Sequence, residues 1–187
     1  MAISEERLAE ISGEELYRLF QSGDEAAFEK LVVLYRKSLT QYINGLLEDR
    51  SAAEELMIDT FAELAAGANY REKSSLKTYL FAIAKHLASR QKRKNRRIAT
   101  VPFDDMDLPS DATLETDYLR GEKTERVRAA MRALKPEYSE VLRLVYFESM
   151  SYADAGKIMG KTGKQIKNLV YSSKVSVKKI LDGEEMD

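Results

Sequence analysis

Between Lys157 and Lys179 the chain carries seven lysines and no acidic residue. Within that stretch Lys164, Gln165, Lys167, Asn168 and Tyr171 are spaced to share one side of a helix. Glutamine and asparagine can pair bidentately with adenine, and lysine reaches guanine or phosphate, so this face suits a DNA major groove. A second constellation lies upstream. Tyr70, Tyr79 and Phe81 precede Lys85, His86, Arg90, Lys92, Arg93, Lys94, Arg96 and Arg97. Aromatic faces stack unpaired bases while a basic groove follows the phosphates, a combination suited to single-stranded nucleic acid. Phe81 and Ile83 also read as core residues, which leaves the stacking role to the two tyrosines. A third feature is the acidic amphipathic stretch 51–66, with Glu54, Glu55, Asp59 and Glu63. Such a face repels DNA and is better suited to meeting a protein.

Other chemistry is excluded by what is missing. The sequence has no cysteine and one histidine, His86. Disulfides, thiolate metal sites and most His-dependent catalysis fall away, and neither a catalytic site nor a cofactor nor a metal is expected. The aspartates at 104, 105 and 107 lack the Gly and Glu pattern of a calcium loop. One nucleotide-binding pattern competes with the DNA reading: Ala155, four residues on, then Gly160-Lys161-Thr162. A phosphate-cradling loop must follow a strand and open a helix. Here Ser151-Tyr152-Ala153-Asp154 reads as a capped helix start, so the motif is set aside.

The elements that must carry these faces are helical. Ser12 with Glu15, Ser51 with Glu54, Ser151 with Asp154 and Thr162 with Gln165 all have capping-box spacing. Phe28, Leu31, Leu34, Tyr35, Leu39, Tyr42 and Ile43 form one apolar stripe. Leu56, Phe61 and Leu64 form another, and Leu76, Leu80, Ile83, Ala84 and Leu87 a third. Pro136 opens a helix expected to turn Tyr138, Val141, Leu142, Val145 and Phe147 inward. A short helix from about Ser151 to Met159, the turn Gly160-Lys161-Thr162 and a longer helix from Gly163 match a helix-turn-helix. In that pairing Gly156 is the small residue where the helices touch, and Ile166, Val170, Ser173 and Val177 face inward with Leu169 beside them. The fold class is therefore all-α: two small helical domains, 1–98 and 119–187, joined by an acidic flexible linker at 99–118 that contains Pro102, Pro109 and clustered Asp.

The formal net charge of −1 hides segregation. It resolves into −8 over residues 1–70, +9 over 71–97, −6 over 98–119 and +4 over 120–187. Phosphate binding depends on such local fields rather than on the total. No apolar run approaches the roughly 18–20 residues of a membrane span, and residues 1–20 carry no signal-peptide pattern. A soluble cytoplasmic protein without stable membrane insertion of its own is expected.

In order, these parts resemble a bacterial RNA polymerase sigma factor of the extracytoplasmic-function (ECF) group. Gly23-Asp24-Glu25-Ala26-Ala27-Phe28 with Leu31 and Tyr35 is similar to the family's opening helix. Ala53-Glu54-Glu55-Leu56 with Thr60-Phe61 is similar to its core-polymerase-binding helix. Ser74-Ser75-Leu76-Lys77-Thr78-Tyr79-Leu80, then Ile83-Ala84, resembles the promoter-melting segment. Leu134-Lys135-Pro136 through Ser151-Tyr152 to Leu181 resembles the domain that reads the −35 element. Several positions depart from the pattern. Tyr79 stands for a usual Trp, His86 for Asn, Ile58 for Gln, Ala155-Gly156 for Ile-Ala, and Leu169 for Arg.

The resemblance implies a subunit that directs core polymerase to promoters and helps melt the −10 region, without catalysis of its own. It implies that Glu54, Glu55, Ile58, Asp59 and Ala62 meet the clamp helices of the largest polymerase subunit, and that the C-terminal domain meets the flap region. Lys161, Thr162, Lys164, Gln165, Lys167, Asn168, Tyr171 and Lys174 would engage promoter DNA at the −35 element. Tyr70, Lys73, Tyr79, Lys85, His86, Arg90, Arg93, Arg96 and Arg97 would take the single strand at −10. Sequestration by an anti-sigma factor, often one tethered at the inner membrane face, is also implied, with no residue here to identify it. Two other readings stay open on the residues alone: a DNA-binding regulator that never joins polymerase, and an all-α nucleotide-directed enzyme.

Overall fold

The computed structural model describes residues 11–67, 70–99 and 121–183, and every regular element among them is helical. The chain divides into two units, Met1–Lys92 and Arg93–Asp187. The acidic linker expected at 99–118 lies, except for Ala99, outside the described residues.

In the first unit α1 (Gly13–Gln21), α2 (Glu25–Leu47) and α3 (Arg50–Ala65) follow one another through tight turns, and α4 (Leu76–Ala99) begins after a loop and runs past the unit's end at Lys92. Each start has a local cause. Ser12 accepts from the Glu15 amide at 3.2 Å, Asp24 from Ala27 at 3.3 Å, and Asp49 from Ala52 at 3.0 Å. Side-chain oxygens thereby satisfy amides that a first turn leaves orphaned. The cap of α3 differs from the expected Ser51. Glu48 ends α2 in the left-handed region, with φ of 57°, and Asp49 is already extended, so the helix restarts at Arg50. Aspartate and serine cap about equally well; the short link between α2 and α3 decides between them. Ser51 is left exposed in the first turn, and Glu54 pairs with Arg50 at 3.1 Å.

The core of this unit holds Leu31, Leu39, Tyr42 and Ile43 of α2, Ala53, Phe61 and Leu64 of α3, and Leu76, Leu80, Phe81 and Ala84 of α4. Full burial of each large apolar side chain contributes about 1.5–3 kcal/mol. Tyr42 and Phe81 pack with ring centroids 5.0 Å apart. Leu34, expected inward, is 53% exposed, beside the exposed Val33. At ~100° per residue it sits about 100° from the middle of the buried stripe that runs from Ala27 to Ile43, just beyond its edge.

The second unit contains α5 (Gly121–Ala133), α6 (Pro136–Leu142), a π-helical turn (Arg143–Phe147), α7 (Tyr152–Met159) and α8 (Gly163–Asp182). Helix α8 is central and packs against α5, α6 and α7. Pro136 occupies the first helical position, where a missing N–H costs nothing. The helix then widens into the π turn. The Glu148 amide donates to the Arg143 carbonyl at 3.0 Å, five residues back, and that wider ring shifts the helical phase. Val141 and Leu142 are buried as expected, Tyr138 and Val145 are half-buried, Leu144 is fully buried, and Phe147 is 62% exposed instead of inward.

Candidate nucleic-acid and polymerase interfaces

The helix-turn-helix is built by three local devices. Ser151 caps α7, accepting from the Asp154 amide at 3.1 Å. Gly160 ends it in the left-handed region, with φ of 66°, which glycine adopts without a Cβ penalty. Thr162 and Gln165 then form a complete capping box at the start of α8: the Gln165 amide donates to Thr162 Oγ1 at 3.3 Å, and the Thr162 amide to Gln165 Oε1 at 2.8 Å. Gly156 sits where the helices meet. The Lys161 amide donates to its carbonyl at 2.9 Å, and a Cβ on Gly156 would lie 2.5 Å from the Lys161 carbonyl oxygen. The glycine therefore permits the close approach that the turn requires. The nucleotide-loop pattern falls on this same stretch, with Ala155 inside α7 and no strand before it among the described residues.

These devices orient α8. Ile166, Val170 and Ser173 are buried, Leu169 and Val177 are half-buried, and Lys164, Gln165, Lys167, Asn168 and Tyr171 are exposed on the opposite side, Tyr171 to 72%. The structure adds duties to four expected DNA ligands. Gln165 holds its amide oxygen at the cap, with Thr162 as its partner, so in this conformation it offers a groove its NH2 alone. Lys161 reaches Glu137 at 2.7 Å. Lys174 lies 4.8 Å from the centroid of the Tyr146 ring, and a hydrogen bond with Tyr146 holds its ammonium pKa above the usual range. Lys164, Lys167, Asn168 and Tyr171 project outward from the helix.

In the first unit, α4 buries Leu76, Leu80, Phe81, Ile83, Ala84, Leu87 and Ala88. Beyond Ala88 it outruns the core, and Arg90 and every residue from Lys92 to Arg97 are exposed. His86 is exposed and Lys85 half-buried on the same helix. Phe81 belongs to the core. Tyr70 and Tyr79 are half-buried with centroids 5.2 Å apart, and Tyr17 of α1 meets Tyr70 edge-on at 5.6 Å. The tyrosines thus form a cluster at the start of α4, with part of their ring surface already covered. Burial, aided by the carboxylates of Glu14 and Glu72, pushes the Tyr70 phenol up to about 12. Lys73 is exposed on the adjoining loop.

That loop carries contacts no sequence pattern announces. Tyr70 donates to the Ser74 carbonyl at 2.8 Å, and the Leu76 amide donates to Glu14 Oε1 at 2.7 Å. Arg18 forms a two-bonded pair with Glu72, at 2.9 and 3.1 Å. The partners are 62 and 54 residues apart, beyond any helical or turn spacing. On α3 the exposed set Glu54, Glu55, Ile58, Asp59 and Ala62 lies opposite buried Leu56, Thr60 and Leu64. Ile58 is 62% exposed, an apolar centre among acids. Among the described residues no cluster of His, Asp or Glu could hold a metal, and no helix is long and apolar enough to cross a membrane.

Comparison with known proteins assigns these parts. Residues 31–98 match Sigma-70 region 2, and residues 124–175 match Sigma-70, region 4. RNA polymerase sigma factor YlaC of Bacillus subtilis is 25% identical over 157 residues, 82% of this chain and 91% of that protein. RNA polymerase sigma-H factor of Pseudomonas aeruginosa is 25% identical over 185 residues, 93% of this chain and 96% of that one. ECF RNA polymerase sigma factor SigM of Bacillus subtilis is 21% identical over 150 residues, 80% and 92% respectively. The fold is shared with solved structures. RpoE of Bartonella quintana, in complex with the anti-sigma factor NepR, superposes with a TM-score of 0.64 at 22% identity, covering 84% of this chain and 98% of that one. CnrH, in complex with the cytosolic domain of CnrY, gives 0.65 at 19% identity, covering 91% and 97%. With both regions present in family order over most of its length, the chain belongs to the sigma-70 family, as an RNA polymerase sigma factor of the ECF group.

Proposed function

We propose that this sigma factor, which serves promoter-specific transcription initiation, divides recognition between two differently built surfaces. The exposed face of α8 reads duplex bases at the −35 element through Lys164, Asn168 and Tyr171, while Lys167, Lys174 and Lys161 hold phosphates. Lys161 and Lys174 exchange their present partners for phosphate as DNA arrives. The loop around Tyr70 and Lys73, with Tyr79, Lys85, His86, Arg90, Arg93, Arg96 and Arg97, receives the strand opened at −10. Opening draws on binding energy: captured single strand offsets lost pairing and stacking, with no hydrolysis. The chain thus acts as a binding subunit without chemistry of its own, in the cytoplasm. The face of Glu54, Glu55, Ile58, Asp59 and Ala62 docks on polymerase, with Ile58 supplying apolar contact at its centre. RpoE was solved in complex with the anti-sigma factor NepR, which supports sequestration of this chain by an anti-sigma factor as well.

The observation that carries this reading is α8 itself: a buried stripe of Ile166, Val170 and Ser173 with Lys164, Lys167, Asn168 and Tyr171 exposed opposite it, entered through a glycine turn and a complete capping box. Run-off transcription with core polymerase and a promoter library tests it. Promoter-dependent transcripts are expected, with Lys164→Ala or Asn168→Ala changing −35 preference and Arg93→Ala chiefly weakening opening. No complex with core polymerase at micromolar concentration would overturn the reading, and unchanged base preference would overturn the assigned face of α8.

A further inference from the structure

The first helix lies outside the matched region 2 segment, which begins at Leu31, yet contacts from three of its residues join it to the loop proposed to capture the −10 base. We infer that α1 is the positioning element of that loop, with Glu14, Tyr17 and Arg18 holding residues 70–76 in the shape that receives an extruded base. The inference rests on the strand-capture reading given above.

The contacts divide the loop between them. Glu14 accepts from the Leu76 amide at 2.7 Å, serving as a cap for α4 from a distant helix. That amide is one of the donors a helix start leaves without an intrahelical partner. Arg18 grips Glu72 with two hydrogen bonds, at 2.9 and 3.1 Å, a planar geometry that fixes orientation as well as distance. Tyr17 is buried and presses edge-on against Tyr70, whose hydroxyl closes the loop onto the Ser74 carbonyl at 2.8 Å. Glu72 has φ of 53°, a left-handed conformation that non-glycine residues hold only when their surroundings impose it. The Arg18–Glu72 pair and the turn of chain beside Tyr70 supply those surroundings. Gly13 fits the helix into place, because a Cβ there would overlap the Tyr35 hydroxyl of α2.

An exposed ion pair adds little to global stability, and both members of this one are exposed. Its consequence is therefore local: a loop already shaped for its ligand loses less entropy on binding. The pair is also open to salt screening, so capture should weaken with ionic strength beyond what phosphate contacts alone require.

The test uses holoenzyme assembled from the full chain, and a single-stranded −10 oligonucleotide as probe. Arg18→Glu and Glu72→Arg should each lower affinity for the probe by about tenfold, and the double variant should recover to within about threefold of the parent, because the pair is reformed with its charges exchanged. Glu14→Ala should weaken capture, while Glu14→Gln, which keeps a carbonyl acceptor for the Leu76 amide, should remain close to the parent. Affinity for a −35 duplex should not change. Single variants within about twofold of the parent, or a double variant showing the product of the two losses, would overturn the inference. Arg90→Ala is the control on the underlying reading. If it lowers probe affinity and the α1 variants do not, positioning by α1 alone fails; if it also leaves affinity intact, strand capture fails and takes the inference with it.

Discussion

The two surfaces proposed to meet DNA are held by contacts of different range. In the second unit, each device that orients α8 spans a few residues: Ser151 to Asp154, Gly156 to Lys161, Thr162 to Gln165. In the first unit, the loop before α4 has local bonds from Tyr70 to Ser74 and from Thr78 to Ser75, and is held besides by Glu14 on Leu76 and Arg18 on Glu72, contacts between residues 62 and 54 positions apart. A local device works wherever its helix forms. A distant one works only after the core of Tyr42, Phe81, Leu31 and Leu64 has placed α1 against α4. The face proposed to read duplex is thereby tied to a turn, and the loop proposed to capture the strand to a whole core.

The largest effect that can break this contrast is expected from Phe81→Ala. It removes a fully buried ring packed on Tyr42 and should cost about 3–5 kcal/mol. Peptide-resolved hydrogen exchange in urea should show the loss in residues 13–92, with protection in 136–182 retained. An equal loss in both would mean that the units fold as one. The converse is Gly156→Val, which sets a branched side chain against the Lys161 carbonyl. Overpacking of this kind costs about 1–3 kcal/mol, and binding to a −35 duplex should fall while affinity for −10 single strand survives. A fall in both would again erase the contrast.

Smaller substitutions sharpen it. Asp49→Ala and Thr162→Ala should each cost about 1 kcal/mol as lost caps, whereas Ser51→Ala should stay within about 0.5 kcal/mol, read from urea midpoints. The reverse order for Asp49 and Ser51 would place the start of α3 where the sequence pattern alone puts it. The smallest effect is spectroscopic. Tyr70 is held up to about 12 by burial first and by the Glu14 and Glu72 carboxylates second. Its neutral phenol is the favoured form in the folded state, so its contribution to stability is complete below the ordinary tyrosine pKa near 10 and is lost as pH rises through about 12. A difference titration at 295 nm against Tyr70→Phe should show the missing step near 12. A step near 10 would mean that the loop leaves Tyr70 open.

How much of this is legible in the sequence follows the same division. The all-α class, the inner stripes of α4 and α8, the turn at Gly160 and the outward Lys164, Lys167, Asn168 and Tyr171 are all readable, because helical periodicity and capping act within four residues. Expectation and structure part where a second element intervenes. Ser51 yields the cap to Asp49 because of the tight link to α2. Leu34 leaves the stripe because the surrounding helices cover only part of α2. Phe147 ends the π-helical turn and is exposed, while Leu144, three residues after Val141, is fully buried. Gln165 has the spacing of a base contact and is also a capping residue; the same spacing supports both roles, and only coordinates show the amide oxygen on the Thr162 amide.

The sequence alone therefore determined which residues are helical, which faces carry charge, and that the region 2 part precedes the region 4 part. Periodicity, caps and charge runs are properties of neighbouring residues, and they survive in any tertiary context that lets the helices form. Tertiary structure decided the rest: the start of α3 at Arg50, the exposure of Leu34 and Phe147, and the grip of Glu14 and Arg18 on the loop at 70–76. Those depend on helices meeting, and two residues some sixty positions apart carry no mark of being partners until the core between them is packed.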